Sequence, residues 1–229
     1  MTSDIRVAIL EDHLGIIDGY THRLSSVAGI KIVGYVFYVA DLDGFLQKSP
    51  VDVLIMDLHV PISEDNKEPM PVMHVIPALR QKYPRMAILV ITMLDQATLV
   101  RNLVDIGIQG YILKDDRDSI QQLGRVVSMV ATGGVYFSQN AYRLLRKGTG
   151  SGQLPLLTLR QMEALSLAAA FLDSSTKELA SRMGISASTF RNLLAAAYQR
   201  LGVQTRMAAI LKARQLGILA DNQKGNPDD

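Results

Sequence analysis

The chain has 229 residues, of which 48% are apolar and 20% charged, a composition that supports a sizeable core and argues against global disorder. Its formal net charge of +2 is close to neutral and selects no class of partner by itself, and its lack of cysteine excludes disulfide scaffolds, thiolate metal sites and cysteine nucleophiles. The lack of cysteine also fits a cytoplasmic location, and since no run of about 18 uncharged apolar residues occurs, we expect no membrane span.

Short apolar runs alternate with amphipathic stretches through residues 5–131. The five predicted strands are Ile5–Leu10, Ile30–Val36, Val51–Met56, Ala87–Ile91 and Tyr111–Leu113. Several runs are apolar at successive positions, which is typical of parallel strands covered on both faces. Stretches long enough to be crossover helices lie between them, at 13–27, 71–82, 95–106 and 117–131. The pattern predicts an α/β, doubly wound, five-stranded parallel sheet over residues 1–131.

The pattern changes after residue 131. Residues 132–156 are predicted to form a connecting helix and a flexible linker rich in Gly and Ser, and no strand signal follows them. Two capping boxes, Thr158 with Gln161 and Ser175 with Glu178, mark helix starts. Four short helices are predicted, at 159–170, 176–183, 187–201 and 206–216. We therefore expect a small all-α helix-turn-helix domain over 157–219 and a disordered tail over 220–229.

Side chains able to do chemistry follow or end four of the predicted strands. They are Glu11, Asp12, Asp57, Thr92 and Lys114. The carboxyl ends of parallel strands share one edge of the sheet, where ligands bind in open α/β folds. A single Asp after an apolar run is usually a turn residue, but the whole set at the correct ends is a much stronger signal. The sequence therefore predicts a functional site at this edge.

The expected chemistry of this site is phosphoryl transfer. Crowded carboxylates repel one another, and a hard cation such as Mg²⁺ relieves the repulsion by taking oxygen ligands. Asp57 is then the predicted nucleophile, which forms an acyl phosphate. Lys114 is expected to pair with one phosphoryl oxygen, and Thr92 to donate a hydrogen bond to another.

Residues 5–131 resemble a receiver domain. The matching segments are Ala8–His13, Leu54–Leu58 with Pro61, Val90–Thr92 and Gly110–Lys114. The resemblance implies that Glu11, Asp12 and Asp57 bind Mg²⁺ together with the backbone carbonyl of His59. It also implies a switch in which Thr92 moves toward the phosphoryl group and Tyr111 turns inward.

Two features depart from the usual receiver pattern. Met93 follows Thr92 where the family usually has a small residue, and we expect it to narrow access to the acyl phosphate and slow its turnover. The loop 62–69 is long and acidic and lacks the usual short Gly-containing turn. Both features resemble the Rcs-type capsule regulators.

Residues 154–219 resemble the LuxR/NarL-type output domain. The matching segments are Leu157–Gln161, Lys177–Ala180, Met183–Ser186, Thr189–Asn192 and Arg200–Val203. The contacts that the resemblance implies with the DNA are those of Lys177, Ser188, Thr189, Arg191, Asn192 and Arg200. Residues 154–219 carry eight Lys and Arg against three acidic residues, a balance that suits phosphate contacts. Together the two halves resemble a NarL/FixJ-type response regulator of a two-component system.

The leading prediction is a phosphorylation-controlled transcription regulator. Its expected partners are a sensor histidine kinase, double-stranded DNA and a second copy of the chain, with no membrane partner. We expect no enzymatic activity beyond phosphorylation and dephosphorylation of its own Asp57.

Two alternatives stay open. Leu193 and Ala195 are expected to face outward on the predicted recognition helix, residues 187–201. This favours a signalling adaptor whose helical domain binds protein. An Mg²⁺-dependent phosphohydrolase with an Asp nucleophile is less favoured, because the position two residues after Asp57 is His59 and not a second Asp.

Overall fold

The computed structural model describes residues 4–147 and 157–219, so the predicted linker at 148–156 and the predicted tail lie outside the described residues. Residues 4–147, here called the sheet unit, contain a six-stranded parallel sheet in the order β2-β1-β3-β4-β5-β6. The strands are β1 Ile5–Leu10, β2 Ile30–Val36, β3 Val53–Met56, β4 Ala87–Thr92, β5 Gly110–Leu113 and β6 Tyr136–Phe137. The doubly wound parallel sheet is confirmed, with one strand more than predicted.

Seven helices accompany this sheet among the described residues. They are α1 Leu14–Ser25, α2 Val39–Lys48, α3 Val72–Lys82, α4 Ala97–Ile106, α5 Arg117–Gln121, α6 Leu123–Ala131 and α7 Gln139–Lys147. Two differences from the sequence analysis stand out. Helix α2 was not predicted, and the single helix predicted over 117–131 is two helices that are divided at Gln122.

Both faces of the sheet are covered, which explains the continuous apolar runs. On β1, Val7 and Ile9 pack into the layer of α1 and α6, whereas Ala8 and Leu10 pack into the opposite layer with α2, α3 and α4. All four side chains are buried. Because successive side chains of a strand point to opposite faces, a strand with two buried faces has no polar alternation.

The edge strand β2 pairs with β1 through an irregular register. Val7 pairs with Ile32 and Ala8 with Gly34, so one residue of β2 is bulged out of the ladder. A Cβ atom on Gly34 would lie 2.7 Å from Cε2 of Phe45. The backbone of β2 therefore approaches α2 more closely than any residue with a side chain allows.

Residues 157–219, here called the helical unit, form four helices. They are α8 Leu159–Ala170, α9 Thr176–Arg182, α10 Ala187–Leu201 and α11 Arg206–Gln215. Both predicted capping boxes are present, with Thr158 and Ser175 as the caps. Arg206 donates hydrogen bonds to carbonyl oxygens at the end of α8, among them that of Ala168 at 2.6 Å. This side chain ties α11 to the carbonyls that a helix end leaves without intrahelical partners.

Among the described residues, no helix combines the length and the apolar character that crossing a membrane requires.

Candidate functional site

The predicted acidic site is assembled at the carboxyl edge of the sheet. Glu11 follows β1, Asp57 follows β3 and Lys114 follows β5, and these strands lie close together in the sheet order. The Lys114 Nζ atom lies 2.7 Å from Glu11 Oε2 and 2.8 Å from Asp57 Oδ2. One ammonium group therefore bridges two carboxylates that are 46 residues apart in sequence, since 57 − 11 = 46.

Burial controls the electrostatics of this cluster. Glu11 is 1% exposed and Asp57 is 5% exposed. Burial raises the pKa of the Glu11 carboxyl above its ordinary value, although the neighbouring Lys114 opposes that change. Burial alone would lower the pKa of Lys114, but the charges of Asp57 and Glu11 outweigh it and raise that pKa. Lys114 is thus held in its charged form.

The Asp57 carboxylate has a fixed orientation. Its Oδ1 atom accepts hydrogen bonds from the backbone N–H groups of Leu58, at 2.6 Å, and His59, at 3.2 Å. Its Oδ2 atom faces Lys114. Backbone donors on one oxygen and an ammonium on the other therefore hold this side chain in one orientation.

Asp12 lies at the more exposed rim of the site. Its Oδ1 atom lies 2.9 Å from Nδ1 of His13, and the same nitrogen lies 3.0 Å from Glu11 Oε1. Potential ligand atoms of Glu11, Asp12 and His13 lie within 4.8 Å of one another. The carboxylate oxygens of Glu11 and Asp12 are the hard donors that Mg²⁺ prefers, whereas Asp57 is not in this group and is joined to Glu11 through Lys114. The chemistry of these carboxylates therefore fits the predicted cation.

Thr92 and Tyr111 lie behind the acidic cluster and are both fully buried. Thr92 ends β4, and its Oγ1 atom accepts a hydrogen bond from the Leu94 N–H at 3.5 Å. The Tyr111 hydroxyl donates to the Leu94 carbonyl at 2.6 Å. Burial, assisted by the charges of Asp57 and Asp95, raises the pKa of Tyr111.

Leu94 is a residue that the sequence analysis missed. Its backbone contacts both Thr92 and Tyr111, and its position two residues after Thr92 was the available signal. Met93, between them, is 52% exposed at the surface beside the site. The loop of residues 93–96, here called the β4–α4 loop, therefore connects the acidic site to α4.

The helix-turn-helix pair presents a polar face. Helix α10 begins at its cap Ser186, whose Oγ accepts the Thr189 N–H at 3.1 Å. The exposed side chains of this face are Lys177, Ser188, Thr189, Arg191 and Asn192. Arg200 is also exposed, and its Nη1 atom donates to Gln161 Oε1 at 2.8 Å. Arg200 thus joins α10 to α8 within the unit, a role that the sequence analysis missed.

One expectation for α10 was wrong. Leu193 was expected to face outward, but it is half-buried and packs against the core of the helical unit. Its side chain lies beside the buried stripe of Phe190, Leu194 and Ala197, which explains its apolar character. Ala195 is exposed as expected. The apolar surface that favoured a protein-binding adaptor is therefore smaller than expected.

The chain is similar over nearly its whole length to curated regulators. It is 28% identical over 218 residues to the transcriptional regulatory protein MctR of Rhizobium johnstonii, covering 94% of this chain and 96% of that protein. It is 29% identical over 221 residues to the nitrate/nitrite response regulator protein NarP of Escherichia coli, covering 93% and 96%. No family model matches the chain.

A solved structure shares the fold. RcsB from Salmonella enterica serovar Typhimurium, bound to promoter rprA in the presence of the phosphomimetic BeF₃⁻, has a TM-score of 0.65 to this chain at 21% identity. The match covers 92% of this chain and 98% of RcsB. The combination of a doubly wound sheet with a four-helix unit is therefore known in a solved protein.

Proposed function

We propose that this chain, a relative of the NarL/FixJ-type response regulators over nearly its whole length, is a phosphorylation-controlled transcription regulator. The observation that carries the proposal is the buried cluster of Lys114, Glu11 and Asp57 at the carboxyl edge of the sheet. The relatives are described as transcriptional regulators and as a response regulator. The polar face of α10 supplies a matching output.

Asp57 is the phosphoryl acceptor in this proposal. One of its carboxylate oxygens attacks phosphorus, the bond from phosphorus to the donor nitrogen of a histidine kinase breaks, and that nitrogen keeps the electron pair. The Leu58 and His59 N–H groups hold the other oxygen in place. Lys114 is positioned to neutralise charge on the transferred group, and Thr92 ends the strand next to it.

Mg²⁺ is the cofactor that this donor set fits. Glu11, Asp12 and Asp57 would hold it, with the His59 carbonyl as the further ligand that the resemblance implies. When bound, the cation would neutralise negative charge that gathers at the reacting phosphoryl group. Glu11 is suited to such a ligand role because its buried carboxylate gains from any additional positive charge.

The output in this proposal is binding to double-stranded DNA. Lys177, Ser188, Thr189, Arg191 and Asn192 are exposed together, and Arg and Asn side chains can read base edges in the major groove. A homodimer would place two recognition helices, one α10 from each copy, on two DNA half-sites. We keep Arg200 as a phosphate contact, although its bond to Gln161 shows that it also has a structural role.

The proposal also fixes the organisation of the chain. We assign a receiver domain to the sheet unit and the DNA-binding domain to the helical unit. The receiver boundary predicted at residue 131 is too early, because β6 pairs with β5 and Ala141 of α7 belongs to the core of the sheet unit. A cytoplasmic location follows from the need to meet DNA and the catalytic part of a kinase.

The experiment that tests the acceptor is labelling by acetyl phosphate with Mg²⁺, read as a mass increase of the intact protein. We expect labelling of the parent and of Asp18→Asn, an exposed position on α1, and no labelling of Asp57→Asn. Labelling that persists in Asp57→Asn would remove Asp57 from this role. A mobility-shift assay with genomic fragments then tests the output, and no retardation by the labelled protein at moderate salt would refute DNA binding.

A further inference from the structure

The two units are docked against each other through a mixed interface. Met73 of α3 is 1% exposed and belongs to the apolar core of the helical unit, and Ile106 of α4 packs against the same core. His74 Nδ1 lies 2.9 Å from Glu163 Oε1, and Asn66 Nδ2 donates to the Ala170 carbonyl at 3.1 Å. The helical unit therefore has a defined position relative to the sheet unit.

This docking leaves the polar face of α10 uncovered. Ser188, Thr189, Arg191 and Asn192 are exposed in the same structure in which α8 packs on α3. From the helical unit, the cavity between the units is lined by residues of α8 and of the end of α11. Docking of the two units therefore sets the orientation of the recognition helix α10 without covering its polar face.

One contact of the interface involves the β4–α4 loop. Gly217, two residues after the end of α11, has φ +65°, and a Cβ atom at this position would lie 2.5 Å from Cβ of Gln96. Gln96 is the last residue of the β4–α4 loop and precedes α4. The same loop holds Leu94, which is bonded to Thr92 and Tyr111. One short segment thus contacts the acidic site's neighbours at one end and the helical unit at the other.

The interface also contains buried polar atoms without hydrogen-bond partners. Among the described residues, the buried side-chain atoms in this condition are Gln96 Oε1 and Arg214 Nε. Arg214 lines a cavity of about 20 Å³ between the units, together with Glu68 and Met73. A space of this size holds about one water molecule, which would serve Arg214. Gln96 does not line this cavity, so its buried Oε1 atom stays unpartnered and disfavours the docked form.

We propose that Gln96 is a positioning residue that couples the state of the acidic site to the orientation of the helical unit through its contact with Gly217. This inference rests on the proposed function, because the signal is phosphorylation of Asp57. A rearrangement of Thr92 displaces the Leu94 backbone, and Gln96, two residues later, transmits that displacement to the end of α11. The coupling acts by turning α10 and not by uncovering it.

The experiment measures the distance between the two units directly. The chain has no cysteine, so Lys48→Cys on α2 and Lys212→Cys on α11, both exposed, accept one spin label each. Double electron–electron resonance then gives the distance distribution before and after treatment with acetyl phosphate and Mg²⁺. We expect the distance distribution to shift in the parent and to stay unchanged in Gln96→Ala, although phosphorylation increases the mass of both proteins equally. An equal shift in Gln96→Ala, or no shift in a fully labelled parent, would overturn the coupling.

A matched glycine pair tests the contact without any phosphodonor. Gly217 and Gly184 both have φ +65°, but a Cβ atom on Gly184 would meet no heavy atom within 4 Å. Both Ala variants suffer the same backbone strain, so only Gly217→Ala should broaden or shift the resting distance distribution. Identical distributions for the two variants would overturn the proposed contact. If acetyl phosphate does not phosphorylate the parent at all, the proposed function fails. The glycine pair still decides whether the contact positions the helical unit.

Discussion

Lys114→Met is the most direct perturbation of the acidic cluster. Methionine keeps the length of the side chain but removes the ammonium that lies 2.7 Å from Glu11 and 2.8 Å from Asp57. Two carboxylates that are 1% and 5% exposed then remain without their cation. Removing one partner of a buried ion pair typically costs about 3–5 kcal/mol. We expect a loss of about this size in the free energy of unfolding at pH 7, measured by urea denaturation in EDTA.

The pH dependence of this loss follows from Glu11. Burial already raises its pKa in the parent, and removal of Lys114 raises it further because the cation opposes that change. A carboxyl whose folded pKa is raised contributes stability that is present below its ordinary pKa of 4.5 and is lost as pH rises through the folded value. The deficit of Lys114→Met should therefore shrink as the pH is lowered from 7 toward 5, and saturating Mg²⁺ should also reduce it.

The control for this experiment is Lys48→Met, which makes the same change of charge at an exposed position on α2. Substitutions at such surfaces usually change stability by about 0.5 kcal/mol or less. If Lys114→Met loses no more than this control at pH 7, or if its deficit grows on acidification, the electrostatic account of the cluster is refuted.

Three further predictions concern the helical unit and its dock. Burial would raise the pKa of Glu163, but its hydrogen bonds with His74 and Arg160 outweigh burial and lower that pKa. The parent should therefore lose stability as the pH falls through and below the ordinary value of 4.5. In thermal melts, Glu163→Gln should lack this part of the loss of stability in acid. Ser175→Ala removes the cap of α9 and should cost about 1 kcal/mol in urea denaturation, whereas a similar cost for Ser181→Ala, an exposed position in the same helix, would argue against the cap. Ala195→Lys adds a cation to the exposed face of α10, so the slope of log K for DNA binding against log salt concentration should steepen by about one. Gln139→Lys on α7 should leave this slope unchanged. Equal slopes for the two variants would contradict the assigned face.

Strand identity and the acidic edge could be predicted because their causes are local. The runs that became β1 and β3 are apolar on both faces, and Glu11 and Asp57 directly follow them. Parallel order then brings their ends together wherever the intervening helices lie. The place of Lys114 at this edge followed from the same rule, since β5 shares the edge, but its bridge between Glu11 and Asp57 was not predicted.

The elements that were missed have weaker local signals. Strand β6 has two residues and exists through its pairing with β5, which no short-range pattern reports. Helix α2 is ten residues long, and its apolar positions Leu42 and Leu46 lie in a stretch also rich in Asp and Gly. The break at Gln122 interrupts a continuous helical pattern with one residue at φ −94° and ψ 18°.

The interface between the units was not predicted for a different reason. His74 and Glu163 are 89 residues apart in sequence, and the residues around each of them are typical of an ordinary exposed helix surface. Leu193 shows the opposite error, because it interrupts the polar pattern of α10 but is accounted for by packing beside the core. Periodicity assigns a face to each helix but does not say which two faces meet.

The bulge at the exposed edge strand has a consequence for how copies of this protein behave at high concentration. A flat edge strand offers free N–H and C=O groups to any neighbouring strand, which is a route to aggregation. The skipped residue before Gly34 breaks the even spacing of those groups, and the close approach to Phe45 holds the distortion in place. An irregular edge is a poor template for strand addition, so β2 protects the protein against uncontrolled association between copies.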